Sequence, residues 1–309
     1  MLPAHLKKRI PKAANIARLR KFIGDPGIHT VCESLKCPNI GECYSNNSLT
    51  FMILGDVCTR NCAFCGCEKG LPALPDPDES QKVRAAALKL GLKHVVVTSV
   101  TRDDLPDGGA GHFADVIRNL RQVEPRRLAV GPGSEPASKP RGSEISVEVL
   151  IPDFQGREEF LEIVIAAGPD VVNHNVETVP RLYPSIRPQA DYARSLALLR
   201  TAKALAPSIY TKSGIMVGLG ESDDEVLLVL RDIKSAGCDI VTIGQYLPPS
   251  KAHPEVSRYV ELETFKWYER VAYKMGFYKV HCGPFVRSSY RAGELLNGKI
   301  FSAEVVHRS

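Results

Sequence analysis

Short runs rich in β-branched residues fall at positions 51–54, 94–100, 145–150, 170–175, 209–216 and 239–246, and each predicts a strand. Between them the apolar residues recur at helical spacing. Phe160, Leu161, Val164 and Ile165 share one face, and their helix stops at Gly168, where an achiral residue can take the left-handed position after the last turn. Ser222 and Glu225 form a capping box ahead of Val226, Val229, Leu230 and Ile233, predicting a helix that runs to Gly237. Tyr192, Leu196, Leu199 and Ala202 mark a third helix, and residues 79–90 a fourth that stops at Gly91.

Strand and helix thus alternate six times. Right-handed crossovers close such a series into an α/β fold, a partial (β/α)6 barrel of the TIM type. The expected organisation is an N-terminal extension over residues 1–50, the barrel over 51–259, and a C-terminal extension over 260–309. Residues 71–77 and 132–142, rich in Pro and Gly, read as loops. Barrels of this type carry their chemistry at the C-terminal ends of the strands, which directs attention to the segment after the first strand.

Composition narrows the class. With 309 residues, 44% hydrophobic and 24% charged, the chain has enough material for one large core. No apolar run approaches the roughly 20 residues that span a bilayer, so no membrane association is expected. The first 24 residues hold seven Lys or Arg and no Asp or Glu, but no Ser occurs before Ser34; a structural arm is expected rather than a transit peptide. A cytoplasmic protein follows, with import into an organelle as the alternative. A formal charge of +5 without a basic stripe does not suggest nucleic acid.

The cysteines carry the clearest signal. Seven of the nine fall between Cys32 and Cys67, a crowding unlike a secreted disulfide framework and characteristic of metal binding in a reducing compartment. Cys58, Cys62 and Cys65 form C-x3-C-x2-C with Phe64 before the last thiol. Three thiolates can hold three irons of a 4Fe-4S cube and leave the fourth iron open to a ligand. Zinc is the alternative, although a three-cysteine zinc site requires a fourth ligand. Upstream, Cys32, Cys37 and Cys43 form C-x4-C-x5-C; alone, this spacing also falls within the zinc-finger range.

The C-x3-C-x-aromatic-C pattern resembles the radical S-adenosylmethionine superfamily. Together with the upstream triad and the segment Arg287-Ser288-Ser289-Tyr290, it resembles the lipoyl synthase family over about residues 28–290. The resemblance implies two 4Fe-4S clusters. Cys58, Cys62 and Cys65 would hold the one that binds S-adenosylmethionine. Cys32, Cys37 and Cys43, with Ser289 as fourth ligand, would hold an auxiliary one that supplies sulfur. It further implies insertion of two sulfur atoms at C6 and C8 of an octanoyl-lysine on a lipoyl carrier domain or a glycine-cleavage H protein. A ferredoxin or flavodoxin would donate electrons, and the enzyme would be a monomer. Without the family, Ser288 and Ser289 read as turn or helix caps.

Polar residues near strand ends complete the expected site. Asn175, Glu177 and Lys212 are assigned to the nucleotide of S-adenosylmethionine by polarity and position, with buried structural pairing as the alternative. The run from Gly214 through Gly218 to Glu221 resembles the superfamily's element beside adenine, with Met216 in place of isoleucine. Cys67, Cys238 and Cys282 lie outside the ligand set and read as small buried hydrophobes. His174 and His281 read as structural or binding residues, with His174 the better site candidate. Another two-cluster sulfur-inserting enzyme, such as a methylthiotransferase, is the alternative within the superfamily; those enzymes carry further recognition domains.

Overall fold

The computed structural model describes residues 3–6, 17, 27–46, 48–122 and 145–296. Most of the expected basic arm and the expected loop at 132–142 lie outside these residues. A two-residue strand, β1 (His29–Thr30), runs antiparallel to β2 (Thr50–Ile53), pairing Thr30 with Phe51. After β2, the short strands β3 (Val57–Cys58) and β4 (Glu68–Lys69) pair in parallel as a separate ribbon. The main sheet continues from β2 through β5 (His94–Ser99), β6 (Ser146–Leu150), β7 (Val171–Asn173), β8 (Tyr210–Val217), β9 (Ile240–Gln245) and β10 (Lys279–Gly283). Every pairing from β2 to β10 is parallel, and the order follows the chain.

All six expected strands are present in an open, barrel-like sheet. A seventh parallel strand, β10, adds to β9, so the boundary expected at residue 259 falls inside the sheet rather than at its edge. The sequence of β10, Lys-Val-His-Cys-Gly, has one buried apolar side chain, Val280, and offers little strand pattern. It is held instead by in-register backbone pairing from Lys279 against Ile240 to Gly283 against Gly244.

Helices cover the outer face. The expected four appear as Glu79–Lys89, Glu158–Ala166, Tyr192–Leu205 and Asp223–Ser235. The capping box is formed in both directions: the Ser222 hydroxyl accepts from the Glu225 N–H and the Glu225 carboxylate accepts from the Ser222 N–H. Such a cap contributes about 1 kcal/mol. Helices Ala110–Arg121 and Leu262–Lys274 complete the layer, burying Phe113, Ile117 and Leu120 in one case and Phe265, Tyr268 and Ala272 in the other.

Side chains alternate across the sheet with the two-residue period of a strand. Val147, Val149, Val172, Ile215, Val217, Val241 and Ile243 join the apolar core. The intervening positions are mostly polar or small, among them Glu148, Gly214 and Thr242, with Met216 an apolar exception. The Lys212 ammonium lies 2.8 and 3.1 Å from the two Glu148 oxygens, and the Asn173 amide donates to Glu148 at 3.0 Å. Burial alone would raise the Glu148 pKa, but Lys212 and His94 overrule it and bring it down to about 2. Gly214, Thr242 and Gly244 line a cavity at the sheet.

Candidate active site

The loop after β2 carries the downstream triad. Cys58 ends β3, and its sulfur accepts from the backbone N–H groups of Arg60 (3.5 Å) and Thr101 (3.4 Å). The Ala63 N–H donates to the Ile186 carbonyl at 2.8 Å, while Lys69 Nζ donates to the carbonyls of Cys62 and Cys65 at 3.0 Å each. His253 meets the Cys65 carbonyl from the loop after β9. Burial raises the Cys62 pKa, and Arg187, Cys65, Glu177 and Cys58 all stand close enough to act on it. The Cys67 thiol hydrogen-bonds Cys65 and, against burial, lowers the Cys65 pKa to about 7, while Cys67 itself is raised. The three expected ligands are thus electrostatic neighbours, with Cys67 beside them.

The upstream triad is assembled by two short helices. Cys32 lies in Val31–Ser34 and Cys43 in Ile40–Ser45, and the Cys37 N–H donates to the Cys32 carbonyl at 3.1 Å. Burial raises the Cys32 pKa to about 12, reinforced by the neighbouring Cys37 and Cys43. Among the described residues, neither triad is closed into a cage for a single metal ion.

The chain after β10 returns across the mouth of the sheet and meets this triad. Asn39 Nδ2 donates to the Phe285 carbonyl at 2.7 Å. The Tyr290 hydroxyl and Arg291 both donate to Glu42, at 2.5 and 2.8 Å, next to Cys43 in sequence. Room for the segment comes from Gly244: a Cβ there would lie 2.1 Å from the Val286 carbonyl oxygen. At Gly214 a Cβ would lie 2.6 Å from Thr242 Oγ1, 2.8 Å from Asn175 Oδ1 and 3.0 Å from Ser288 Oγ.

The two serines diverge. Both border the same cavity as Cys32, Cys37 and Cys43, but Ser288 donates to Asn175 Oδ1 at 2.8 Å, whereas the Ser289 hydroxyl has no hydrogen-bond partner among the described residues. Cys282, seven residues before Ser289, donates to the Phe265 carbonyl at 3.1 Å and lies outside that cavity. Cys238 is buried between the carbonyls of Thr211 and Ile240.

One cavity of about 330 Å³ connects the parts. Its wall includes the upstream triad, Phe64, Cys65, Asn175, Glu177 and Ser289. Glu177 has a left-handed backbone at φ +66°, accepts from Asn175 Nδ2 at 3.0 Å, and is raised in pKa by burial against the opposing pull of Arg187. Arg287 also borders the cavity, lowered in pKa by burial, with Cys37 and Glu177 as the facing acidic groups.

Three expected nucleotide contacts are not brought to this cavity. Lys212 pairs with Asn173, the last residue of β7, near the start of β8; it sits one layer deeper, fully buried on Glu148. Its placement at a strand's C-terminal end is therefore corrected. Gly218 and Glu221 form the turn beyond β8, where the Glu221 carboxylate accepts from the N–H groups of Gly218 and Leu219. His174 is spent on the Ile151 carbonyl and the Ser195 hydroxyl, and burial holds its pKa at about 4. His281 stacks on Tyr290 with ring centroids 5.6 Å apart. Glu42, Arg60 and Thr242 escaped the sequence reading of the site, and Arg287 entered it only as part of the segment that ends at Tyr290. Adjacency to Cys43 was the signal available for Glu42, and a place between Cys58 and Cys62 for Arg60.

The geometry agrees with relatives identified by comparison. Residues 52–233 match the model of the Radical SAM superfamily. A lipoyl synthase from Caldanaerobacter subterraneus subsp. tengcongensis is 53% identical over 290 residues, covering 94% of this chain and 95% of the relative. Another from Oleidesulfovibrio alaskensis is 50% identical and covers 96% of each chain. Among solved structures, methylornithine synthase superposes with a TM-score of 0.50 at 12% identity, covering 87% of this chain and 76% of its own. Coproporphyrinogen III oxidase from Escherichia coli gives 0.51 at 12%, covering 73% and 52%. These two likenesses speak to the fold alone. Near-full-length identity to the former relatives, on a Radical SAM match that contains Cys58, Cys62 and Cys65, means that the chain belongs to the lipoyl synthase family of the radical S-adenosylmethionine superfamily.

Proposed function

We propose that this chain inserts two sulfur atoms at C6 and C8 of a protein-bound octanoyl-lysine, using one 4Fe-4S cluster on Cys58, Cys62 and Cys65 and a second on Cys32, Cys37, Cys43 and Ser289. The observation that carries the reading is the single cavity onto which Cys65, the upstream triad and the unpartnered Ser289 hydroxyl all open. The donor set suits the groups: soft thiols in two separate triads, each with room for a further ligand. A cluster held by Cys58, Cys62 and Cys65, with S-adenosylmethionine, would supply a primary carbon radical able to take hydrogen from unactivated carbon, which side-chain acids and bases cannot do.

The chain's own residues bind, orient and exclude water. Val31, Leu35, Leu49, Leu150, Ile215 and Val286 give the cavity an apolar wall for an octanoyl chain. Asn175 and Glu177 offer hydrogen bonds to the polar parts of S-adenosylmethionine, and Phe64 closes the side beside Cys65. Ser289 would offer the auxiliary cluster a hard oxygen, a weaker partner for iron than a thiolate. Arg287 faces Cys37 and Glu177 and offsets negative charge there.

The substrate is a lipoyl carrier domain or the glycine-cleavage H protein, and ferredoxin or flavodoxin supplies electrons to a monomeric enzyme in the cytoplasm. Among the described residues no helix is long and apolar enough to cross a membrane. The organisation is an N-terminal extension holding the upstream triad, a central barrel holding the downstream one, and a C-terminal extension delivering the serine.

Anaerobic turnover with an octanoyl-lysine peptide, S-adenosylmethionine and dithionite tests the proposal. Lipoyl product with 5′-deoxyadenosine, from protein containing iron and acid-labile sulfide, is the expected result; zinc-containing protein without S-adenosylmethionine cleavage would overturn it.

A further inference from the structure

Arg60 stands between Cys58 and Cys62, and its side chain is only 5% exposed. Its guanidinium joins two carboxylates from different strand ends. Nε donates to Asp103 Oδ2 at 2.6 Å and Nη2 to Asp103 Oδ1 at 2.8 Å, while Nη2 also reaches Asp153 Oδ1 at 2.6 Å. Asp103 follows β5 and Asp153 follows β6. The same stretch is stitched again through Thr59, whose N–H and hydroxyl both donate to the Thr101 carbonyl, and whose Oγ1 accepts from the Asp103 N–H.

Asp153 is held in place with unusual insistence. Its side chain is fully buried, and its carboxylate also accepts from the Gln155 N–H at 3.0 Å and from Arg194 at 3.3 Å. The turn behind it keeps two consecutive non-glycine residues in the left-handed region, Phe154 at φ +46° and Gln155 at φ +53°. Such backbone persists only where surrounding contacts over-determine it. Here the consequence is a carboxylate aimed at Arg60. A planar fork can meet two carboxylates at once in this way; a lysine ammonium, a single point of charge, cannot reproduce it.

We propose that Arg60 is a positioning residue: through Asp103 and Asp153 it clasps the loop of Cys58, Cys62 and Cys65 to the ends of β5 and β6, setting the thiol spacing before any cluster is bound. The proposal rests on the reading that these three thiols hold the radical cluster. The clasp closes across 43 residues to Asp103 and 93 to Asp153, so it forms only when the sheet has formed. Loop order then becomes a property of the folded sheet rather than of the metal.

The test uses the full, metal-free chain, with iodoacetamide alkylation rates at Cys58, Cys62 and Cys65 read by peptide mass spectrometry and the buried Cys238 as internal reference. Loss of one charge-assisted pair predicts that Arg60→Gln alkylates the three loop thiols about tenfold faster, Arg60→Lys less so, with Cys238 unchanged. Asp103→Asn, at a partly exposed position, is the second variant should Arg60→Gln fail to fold; a several-fold rise confined to the loop thiols is expected. Unchanged loop rates in a folded variant, or an equal rise at Cys238, would overturn the clasp. Iron and sulfide content of a chain with Cys58, Cys62 and Cys65 all replaced by Ala tests the cluster reading separately, because the thiol rates do not depend on it.

Discussion

Gly244→Ala isolates the link between the sheet and the serine segment. The Cβ would stand 2.1 Å from the Val286 carbonyl oxygen, where contacts below 3.0 Å are essentially never tolerated, so the backbone of the segment must retreat by about 1 Å. The obstacle is main chain and cannot rotate away. Overpacking of this kind costs ~1–3 kcal/mol, equivalent to a fall in Tm of a few degrees. The functional loss should be larger than the stability loss, since a displacement of about 1 Å at a positioned group can cost on the order of 100-fold in rate. Ser289 lies three residues beyond Val286 and should lose its alignment with Cys32, Cys37 and Cys43. Anaerobically reconstituted Gly244→Ala should therefore still form 5′-deoxyadenosine, with lipoyl product reduced at least tenfold. Gly214→Ala should be milder for the segment, because its Cβ meets side-chain oxygens of Thr242, Asn175 and Ser288 that can shift. Lipoyl formation by Gly244→Ala within twofold of the unmodified chain, at unchanged Tm, would refute the reasoning.

Three further outcomes can be checked with the same preparations. Replacing Cys58, Cys62 and Cys65 by Ala should leave about one cluster's iron and no 5′-deoxyadenosine, whereas Cys32, Cys37 and Cys43 to Ala should give 5′-deoxyadenosine uncoupled from product; iron analysis and chromatography of the nucleoside decide. Ser289→Cys should assemble a cluster at least as stable yet form little lipoyl product, Ser289→Ala should assemble it poorly, and Cys282→Ser should be nearly silent, as iron-release kinetics and product assays would show. Lys212→Met leaves Glu148 buried without its cation and should cost ~3–5 kcal/mol by urea denaturation. For the unmodified chain, the Glu148 pKa of about 2 lies below its ordinary value of 4.5, so the pair's contribution is complete above pH 4.5 and is lost as pH falls towards 2. A urea midpoint that stays flat across that acid window would contradict the pairing.

Lys212 and Ser289 both illustrate how little a side chain's surroundings show in the sequence. A lysine in a predicted strand carries no mark of depth. Only the register of β8 on β7 places it opposite Asn173 and within reach of Glu148, 64 residues earlier. Ser289 was singled out because its neighbours resemble a family pattern, although no local property distinguishes it from Ser288; both serines border the cavity, and Asn175 engages only the Ser288 hydroxyl. Arg60 was passed over because its two carboxylates sit beyond different strands.

By itself the sequence determined the six-strand alternation, the helix stops, the capping box at Ser222 and the division of six cysteines into two triads, because backbone preference, apolar periodicity and ligand spacing act over a few residues. The tertiary structure alone decided that β10 joins the sheet, that Lys212 is buried on Glu148, and that the upstream triad, Cys65 and Ser289 border one cavity. Those outcomes depend on contacts such as Glu42 with Tyr290, 248 residues apart, whose energies exist only once the sheet has brought both ends of the chain to its mouth.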